Sequence, residues 1–169
     1  MQRLEDKVAI VTGGAHGIGG SISQRLAEEG ARVMIADIDV EKAQTTVQEI
    51  RDAGYEADAL AIDVSVHGDI ARMVEATVSK WGRLDILANN AFDVLSGGQG
   101  DAVQVSEEAW DKGMAVLVKS MFLSAKYAIP EMRKAGGGSI VNTSSVHGQL
   151  MAPGVLVYET GKAAVIGLT

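Results

Sequence analysis

Short apolar segments alternate with longer segments of helical periodicity along the sequence. The run 8–12 lacks the polar alternation of a half-exposed strand, which is typical of a strand buried in a parallel sheet. Strict alternation predicts a parallel sheet with helices on both faces, because right-handed crossovers return each strand in the same direction. The predicted strands are 8–12, 32–37, one within 55–64, 84–89 and 139–144, and the predicted helices are 17–29, 40–53, 67–81, 106–134 and one from about 157.

Two local signals refine the long fourth helix. Ser106 is a suitable N-cap, since its hydroxyl can accept a hydrogen bond from the first turn. Pro130 predicts a bend or interruption, because proline lacks the N–H that a helix interior needs. The segment 92–105 before this helix is predicted to be a Gly-rich loop.

Composition limits the classes of function. A chain of 169 residues suits one domain over 1–169, and the absence of cysteine excludes disulfides and thiolate chemistry. A net charge of −7 disfavours nucleic acid and anionic membrane partners. The apolar runs fall short of the ~20 residues of a membrane span. With no secretory signal expected at the start, we expect a cytoplasmic protein, and we expect no metal site.

A glycine-rich turn joins the first strand to the first helix. Glycines at 13, 17 and 19 permit a tight turn, and they let a pyrophosphate approach the backbone N–H groups at the helix N-terminus. We therefore expect Gly13, His16, Gly17, Ile18 and Gly19 to contact a dinucleotide. A plain tight turn remains the alternative at this point.

An acidic residue ends the second strand, 18 positions after the last glycine of the turn. The carboxylate of Asp37 can accept hydrogen bonds from ribose hydroxyls and would repel a 2′-phosphate. No arginine follows it, and His16 is the nearest candidate cation. The pattern favours NAD(H) over NADP(H), although Asp37 alone could equally be a strand-end residue.

Five short motifs lie in order at the predicted strand ends and on the last helix. Together they resemble the short-chain dehydrogenase/reductase family over the whole span from Lys7 to Thr169. The motifs are Gly-x-x-x-Gly-x-Gly after Thr12, Asp63-Val64, Asn89-Asn90-Ala91, Ser145, and Tyr158-x-x-x-Lys162.

The resemblance carries several expectations. It implies a Rossmann-type doubly wound sheet, a three-layer α/β/α arrangement with strand order 3-2-1-4-5. It implies that Asp63 contacts the adenine, that Val64 and Asn90 also belong to the cofactor site, and that Lys162 bonds the nicotinamide ribose. It also implies a homodimer or homotetramer.

The spacing of Tyr158 and Lys162 predicts that they share one face of a helix. A lysine ammonium favours the phenolate form of a nearby tyrosine. The expected substrate is a small-molecule alcohol or ketone. We expect Tyr158 to remove the hydroxyl proton of the alcohol in oxidation and to return it in reduction, while Ser145 holds the substrate oxygen. Alternatively, the Tyr-Lys pair is a surface pair and the serine only a turn residue. His147 is expected to line the pocket or to be solvated.

The sequence departs from the family in three places. Leu117 stands where many members have a catalytic Asn, which could reroute proton relay through Ser120, and Phe92 replaces a Gly. The chain is also short for the family, so we expect a C-terminally truncated form that leaves 139–144 as an open sheet edge. A non-catalytic NAD-binding protein and an S-adenosylmethionine enzyme are therefore alternatives, the second of which has no use for Ser145, Tyr158 and Lys162.

Overall fold

A computed structural model describes residues 2–92 and 99–169. Five parallel strands form one sheet in the order β3-β2-β1-β4-β5, which confirms the predicted Rossmann-type order. The Gly-rich loop predicted over 92–105 lies partly outside the described residues. The strands are β1 Val8–Thr12, β2 Arg32–Asp37, β3 Ala57–Ala61, β4 Ile86–Asn89 and β5 Ser139–Asn142.

Six α-helices connect and cover these strands in the described part of the chain. The helices are α1 Gly17–Glu28, α2 Val40–Asp52, α3 His67–Trp81, α4 Glu107–Met114, α5 Ser120–Lys134 and α6 Leu156–Leu168. None of them is long and apolar enough to cross a bilayer.

The sheet has a hydrophobic core on each face, and the central strand β1 contributes side chains to both. Residues Val8 to Val11 are fully buried, and successive side chains point to opposite faces of the sheet. Ile10 packs in the core that α3 and α5 cover, whereas Ala9 and Val11 pack in the core that α1 and α2 cover. The uninterrupted apolar run in the sequence follows from this burial on both faces.

The long fourth helix differs from its prediction in one respect. Ser106 caps α4 as expected, with Oγ accepting from the Ala109 N–H at 3.1 Å. Of the bend or interruption predicted near Pro130, the interruption does not occur, because α5 is helical through that residue. The irregularity is instead a π-helical segment, Ala115–Lys119, between α4 and α5.

The strands end at one level, which places their polar residues along a single edge. Thr12 of β1 lies opposite Ala36 of β2 and Asn89 of β4, and Asn89 lies opposite Asn142 of β5. The Asn89 side-chain amide donates to Asn142 Oδ1 at 2.8 Å. Ligands of such sheets bind at the carboxyl ends of the strands, so this edge is where a site is expected.

Acid should weaken the attachment of the N-terminal residues to α1. The side-chain hydrogen bond from Arg3 is the main cause that lowers the pKa of Glu29 from 4.5 to about 2. A lowered pKa in the folded state stabilises the protein above the unfolded value, and this stability is lost as the pH falls from 4.5 towards 2. Urea denaturation across this range should show a shallower pH dependence for Glu29→Gln than for the wild type. The exposed neighbour Glu28→Gln should keep the wild-type slope, and equal slopes for all three would contradict the assignment.

Candidate active site

A cleft of about 780 Å³ lies along the carboxyl ends of the strands, a volume typical of sites for ligands of cofactor size. Gly19 does not line it and lies behind the turn, but every other residue predicted for the site does. The predicted residues that line the cleft are Gly13, His16, Gly17, Ile18, Asp37, Asp63, Val64, Asn90, Ser145, Tyr158 and Lys162.

The glycine turn follows the central strand β1 and lies in the middle of the cleft, and at two of its positions the backbone has no room for a side chain. Gly13 has φ +63°, and a Cβ there would lie 2.7 Å from the Ala91 Cα. A Cβ on Gly19 would lie 2.0 Å from the Gly13 carbonyl oxygen. These glycines bring the start of α1 against the end of β4. The bare backbone of the turn therefore faces the cleft at the N-terminus of α1.

Asp37 is held at the end of β2 by two backbone donors. Its carboxylate accepts from the Ala15 N–H and from the Asp39 N–H, both at 3.0 Å. The first bond ties the side chain to the glycine turn, and the second fixes the chain as it leaves the strand. Each carboxylate oxygen has two lone pairs, so both keep acceptor capacity for a further donor in the cleft.

Asn90 connects the glycine turn to β5. Its side-chain amide donates to the Gly13 carbonyl at 3.3 Å, and its Oδ1 accepts from the Thr143 hydroxyl at 3.4 Å. The hydroxyl of Thr12 accepts from the Asn90 N–H at 3.1 Å. This network fixes the floor of the cleft between its two ends.

The side chain of Asp63 is also fixed, at the end of the cleft nearest β3. Its Oδ1 accepts from the Ser65 N–H at 2.8 Å and from the Ser65 hydroxyl at 2.7 Å. Val64 beside it is 8% exposed. The apolar side chain of Val64 and the fixed carboxylate of Asp63 therefore line the same end of the cleft.

Lys162 lies at the other end of the cleft and is 2% exposed. Its Nζ donates to the Thr143 carbonyl at 2.6 Å and lies 5.7 Å from the centre of the Tyr158 ring. Burial lowers the pKa of the Lys162 ammonium. The Phe92 ring packs on this pair, 5.6 Å from Nζ and 4.8 Å from the Tyr158 ring centre. The predicted shared helix face is therefore confirmed.

Ser145 follows β5 and begins a short 3-10 turn, Val146–Gly148. Its Oγ accepts from the His147 N–H at 3.2 Å. The preceding Ser144 hydroxyl donates to the Lys162 carbonyl at 2.8 Å, so the turn is attached to α6. The structure thus brings Ser145, Tyr158 and Lys162 to one end of the cleft.

Leu117 lies in the π-helical segment and packs on the back of α6. It is 2% exposed, and a Cβ on Gly161 would lie 2.6 Å from its Cδ1. Ser120 does not replace the missing polar group at this position. It does not line the cleft, and its buried hydroxyl donates to the Val116 carbonyl at 2.5 Å.

A methyl group on Gly161 should destabilise the protein because of this packing. An Ala for Gly substitution inside a helix normally stabilises by about 1 kcal/mol. Gly161→Ala should instead lower the free energy of unfolding by about 1–3 kcal/mol, since Leu117 must shift. A Leu117→Gly background also removes the Leu117 Cβ, which lies 2.8 Å from the new methyl group, so there the same substitution should be neutral or stabilising, as a double-mutant cycle by urea denaturation would show. Equal effects in both backgrounds would contradict the contact.

Several groups of the cleft carry no signal in the sequence. Thr143 acts through its main-chain carbonyl, which every residue possesses, and Lys112 and Val116 line the cleft from the helix. Only the helical phase of the latter two could have indicated them.

The comparisons with known proteins agree with this geometry. The family model of short chain dehydrogenases matches residues 7–169, and the chain therefore belongs to the short-chain dehydrogenase family. It is 46% identical over 166 residues to an uncharacterized oxidoreductase of Thermotoga maritima, covering 98% of this chain and 64% of that protein. It is 40% identical to a cyclopentanol dehydrogenase of Comamonas testosteroni, covering 98% of this chain and 65% of the relative. The chain thus spans less than two thirds of the length of these relatives.

Two solved structures also resemble this chain in fold and in sequence. A 7α-hydroxysteroid dehydrogenase complexed with NADH and 7-oxo glycochenodeoxycholic acid superimposes with a TM-score of 0.93 at 32% identity, covering 99% of this chain and 64% of that one. A metagenomic short-chain oxidoreductase in complex with NADP gives a TM-score of 0.91 at 35% identity, covering 98% and 74%.

Proposed function

We propose that the protein is an NAD(H)-dependent oxidoreductase that interconverts a secondary alcohol and a ketone. The observation that carries this proposal is one continuous cleft that runs from Asp63 and Val64, past the bare glycine turn after the central strand β1, to Ser145, Tyr158 and Lys162. A dinucleotide has the matching polarity, with a pyrophosphate for the turn and a nicotinamide for the reactive end. The relatives include a cyclopentanol dehydrogenase, which supports an alcohol as substrate.

The residues present fit such a cofactor. Gly13, Gly17 and Ile18 line the cleft at the start of α1, so a pyrophosphate could approach the backbone there. Asp37 keeps lone pairs for ribose hydroxyls, and Val64 offers an apolar wall for the adenine. Lys162 uses one of its three donors on the Thr143 carbonyl, which leaves two for the second ribose and for Tyr158.

The roles of the reactive groups follow from these contacts. When bound, the nicotinamide would supply the hydride acceptor or donor. Ser145 Oγ accepts the His147 N–H, so its own proton is free to donate to the substrate oxygen. Tyr158 would take the substrate hydroxyl proton in oxidation and return it in reduction, with Lys162 Nζ 5.7 Å from the centre of its ring.

The proposal is tested by titrating NADH fluorescence and then following NADH absorbance with a panel of cyclic and open-chain ketones. Saturable NADH binding with turnover of at least one ketone is expected. A second candidate, an NAD-binding protein without turnover, is favoured by the apolar Leu117 behind Lys162. NADH binding without turnover of any ketone or alcohol would favour that candidate. Failure to bind NADH would exclude both functions.

The expected preference for NAD(H) depends on the carboxylate of Asp37. We expect the wild type to bind NADH at least about tenfold more tightly than NADPH, because this carboxylate repels a 2′-phosphate. Asp37→Ser should narrow the ratio of the two dissociation constants by about tenfold. Asp52→Ser, at the far end of α2, is the control and should leave the ratio unchanged. An unaltered ratio in Asp37→Ser would overturn the preference.

The assembly and the location of the protein stay predictions. We expect a homodimer or homotetramer, which size-exclusion chromatography with light scattering would measure. A cytoplasmic location would be tested by cell fractionation.

A further inference from the structure

The helix that bears Tyr158 also carries a buried acid that the proposed chemistry does not use. Glu159 is 6% exposed and directly follows the tyrosine. Its Oε1 accepts from His147 Nδ1 at 3.0 Å and from the Ala152 N–H. Both donors belong to the segment 145–152, which we call the serine turn because it begins at Ser145. One carboxylate oxygen therefore attaches this segment to α6 at two points.

The carboxylate is held in its charged form by these donors. The hydrogen bond from His147, followed by that from the Ala152 backbone, keeps the pKa of Glu159 below its ordinary value. A buried carboxylate without such partners would be costly, so the two bonds and the burial depend on each other. A charged contact thus helps to hold the serine turn on α6. Leu150 and Met151 within it are 67% and 66% exposed.

A single residue, His147, connects Glu159 to the Ser145 hydroxyl. The ring of His147 contacts Glu159, and the backbone N–H of the same histidine donates to Ser145 Oγ at 3.2 Å. The ring centre of this histidine lies 5.9 Å from that of Tyr158. A shift of His147 would therefore move the serine hydroxyl relative to the tyrosine.

A second attachment lies on the other side of the serine. The Ser144 hydroxyl donates to the Lys162 carbonyl, one helical turn beyond Glu159. Ser145 thus lies between two polar contacts with α6, and on the His147 side Gly148 also packs against the helix, since a Cβ there would lie 2.7 Å from the Lys162 carbonyl oxygen.

We propose that Glu159 is a positioning residue that, through His147, keeps Ser145 aligned with Tyr158. This role rests on the proposed function for its effect on turnover, but the attachment of the serine turn can be measured without turnover. Because misplacing a catalytic group by about 1 Å can cost on the order of 10²-fold in rate, loss of one of the two attachments should be visible in kcat.

The test compares Glu159→Ala with Glu159→Gln and with Glu75→Ala, an exposed acid on α3 that serves as control. Glu159→Ala should lower kcat by about 10- to 100-fold with the dissociation constant of NADH within about twofold. The amide oxygen of Glu159→Gln can still accept both hydrogen bonds, so its loss should stay within about threefold. In hydrogen–deuterium exchange without cofactor, residues 145–152 should exchange at least about tenfold faster in Glu159→Ala alone.

Each readout can overturn the proposal. Wild-type kcat in Glu159→Ala would do so, as would an equal loss of NADH binding and of kcat, which indicates general damage to the fold. Unchanged exchange over 145–152 would do so as well. If the wild type turned over no ketone or alcohol, the proposed function would fail, and the exchange result alone would decide whether Glu159 holds the serine turn.

Discussion

Replacing Tyr158 by Phe should lower kcat by about 10³-fold, within the range typical of the loss of a positioned general acid or base. The substitution keeps the ring, which packs against Phe92 with 4.8 Å between ring centres, and removes only the hydroxyl that we propose exchanges the proton. The dissociation constant of NADH should stay within about threefold, since Lys162 keeps its bond to the Thr143 carbonyl. The measurement is steady-state turnover together with a fluorescence titration of NADH.

Tyr127 provides the matched control for this substitution. Its hydroxyl contacts His67 between α3 and α5, away from the cleft, so Tyr127→Phe should retain wild-type turnover and NADH affinity. Wild-type turnover in Tyr158→Phe would remove the tyrosine from the chemistry. A parallel loss of NADH affinity would show that the hydroxyl serves binding rather than proton transfer.

The second large effect is expected from a single methyl group in the glycine turn. In Gly19→Ala the new Cβ would lie 2.0 Å from the Gly13 carbonyl oxygen and 2.7 Å from Asn90 Nδ2. Two main-chain segments must then separate, since a backbone oxygen cannot rotate away as a side chain can. We expect the free energy of unfolding to fall by roughly 3 kcal/mol and NADH binding to be lost.

The adjacent glycine tests whether the effect is local. A Cβ on Gly20 would lie 3.7 Å from the Ala15 carbonyl, an ordinary contact distance, so Gly20→Ala should be neutral or stabilising by up to about 1 kcal/mol. Both variants place alanine in the first turn of α1, and they differ only in what the methyl group meets. Equal stability of the two variants in urea denaturation would contradict the packing described for the turn.

The sheet could be predicted from the sequence because its signal is local. Buried strands read as continuous apolar runs, and the burial of Val8 to Val11 on both faces is the physical cause of that pattern. The order of the strands in the sheet depends on contacts between distant segments, so it was predicted from the resemblance to a family and not from local patterns. The interruption expected at Pro130 was wrong, since α5 continues through this residue.

The residues of the site could be predicted because chemistry restricts their side chains. A phenol, an ammonium and a hydroxyl at fixed spacing leave few alternatives, and the structure brings Tyr158, Lys162 and Ser145 to one cleft. Contacts made through the backbone could not be predicted, as the bond from Lys162 to the Thr143 carbonyl shows. The pairing of His147 with Glu159 could not be predicted either, because nothing in the sequence indicates that these residues, 12 positions apart, are in contact.

The π-helical segment Ala115–Lys119 has a consequence for the evolution of chain length in this helix. Such a segment amounts to one extra residue inserted into an α-helix, and the flanking turns keep their original phase. Elsewhere in α4 or α5, deleting one residue would rotate all that follows by about 100°, turning buried faces outward. Deleting one residue within 115–119 would restore an ordinary helix with both flanks still correctly oriented. Related chains of this fold that differ by a single residue here can therefore share the same packing of α5 on α3, while they differ in the wall that Val116 contributes to the cleft.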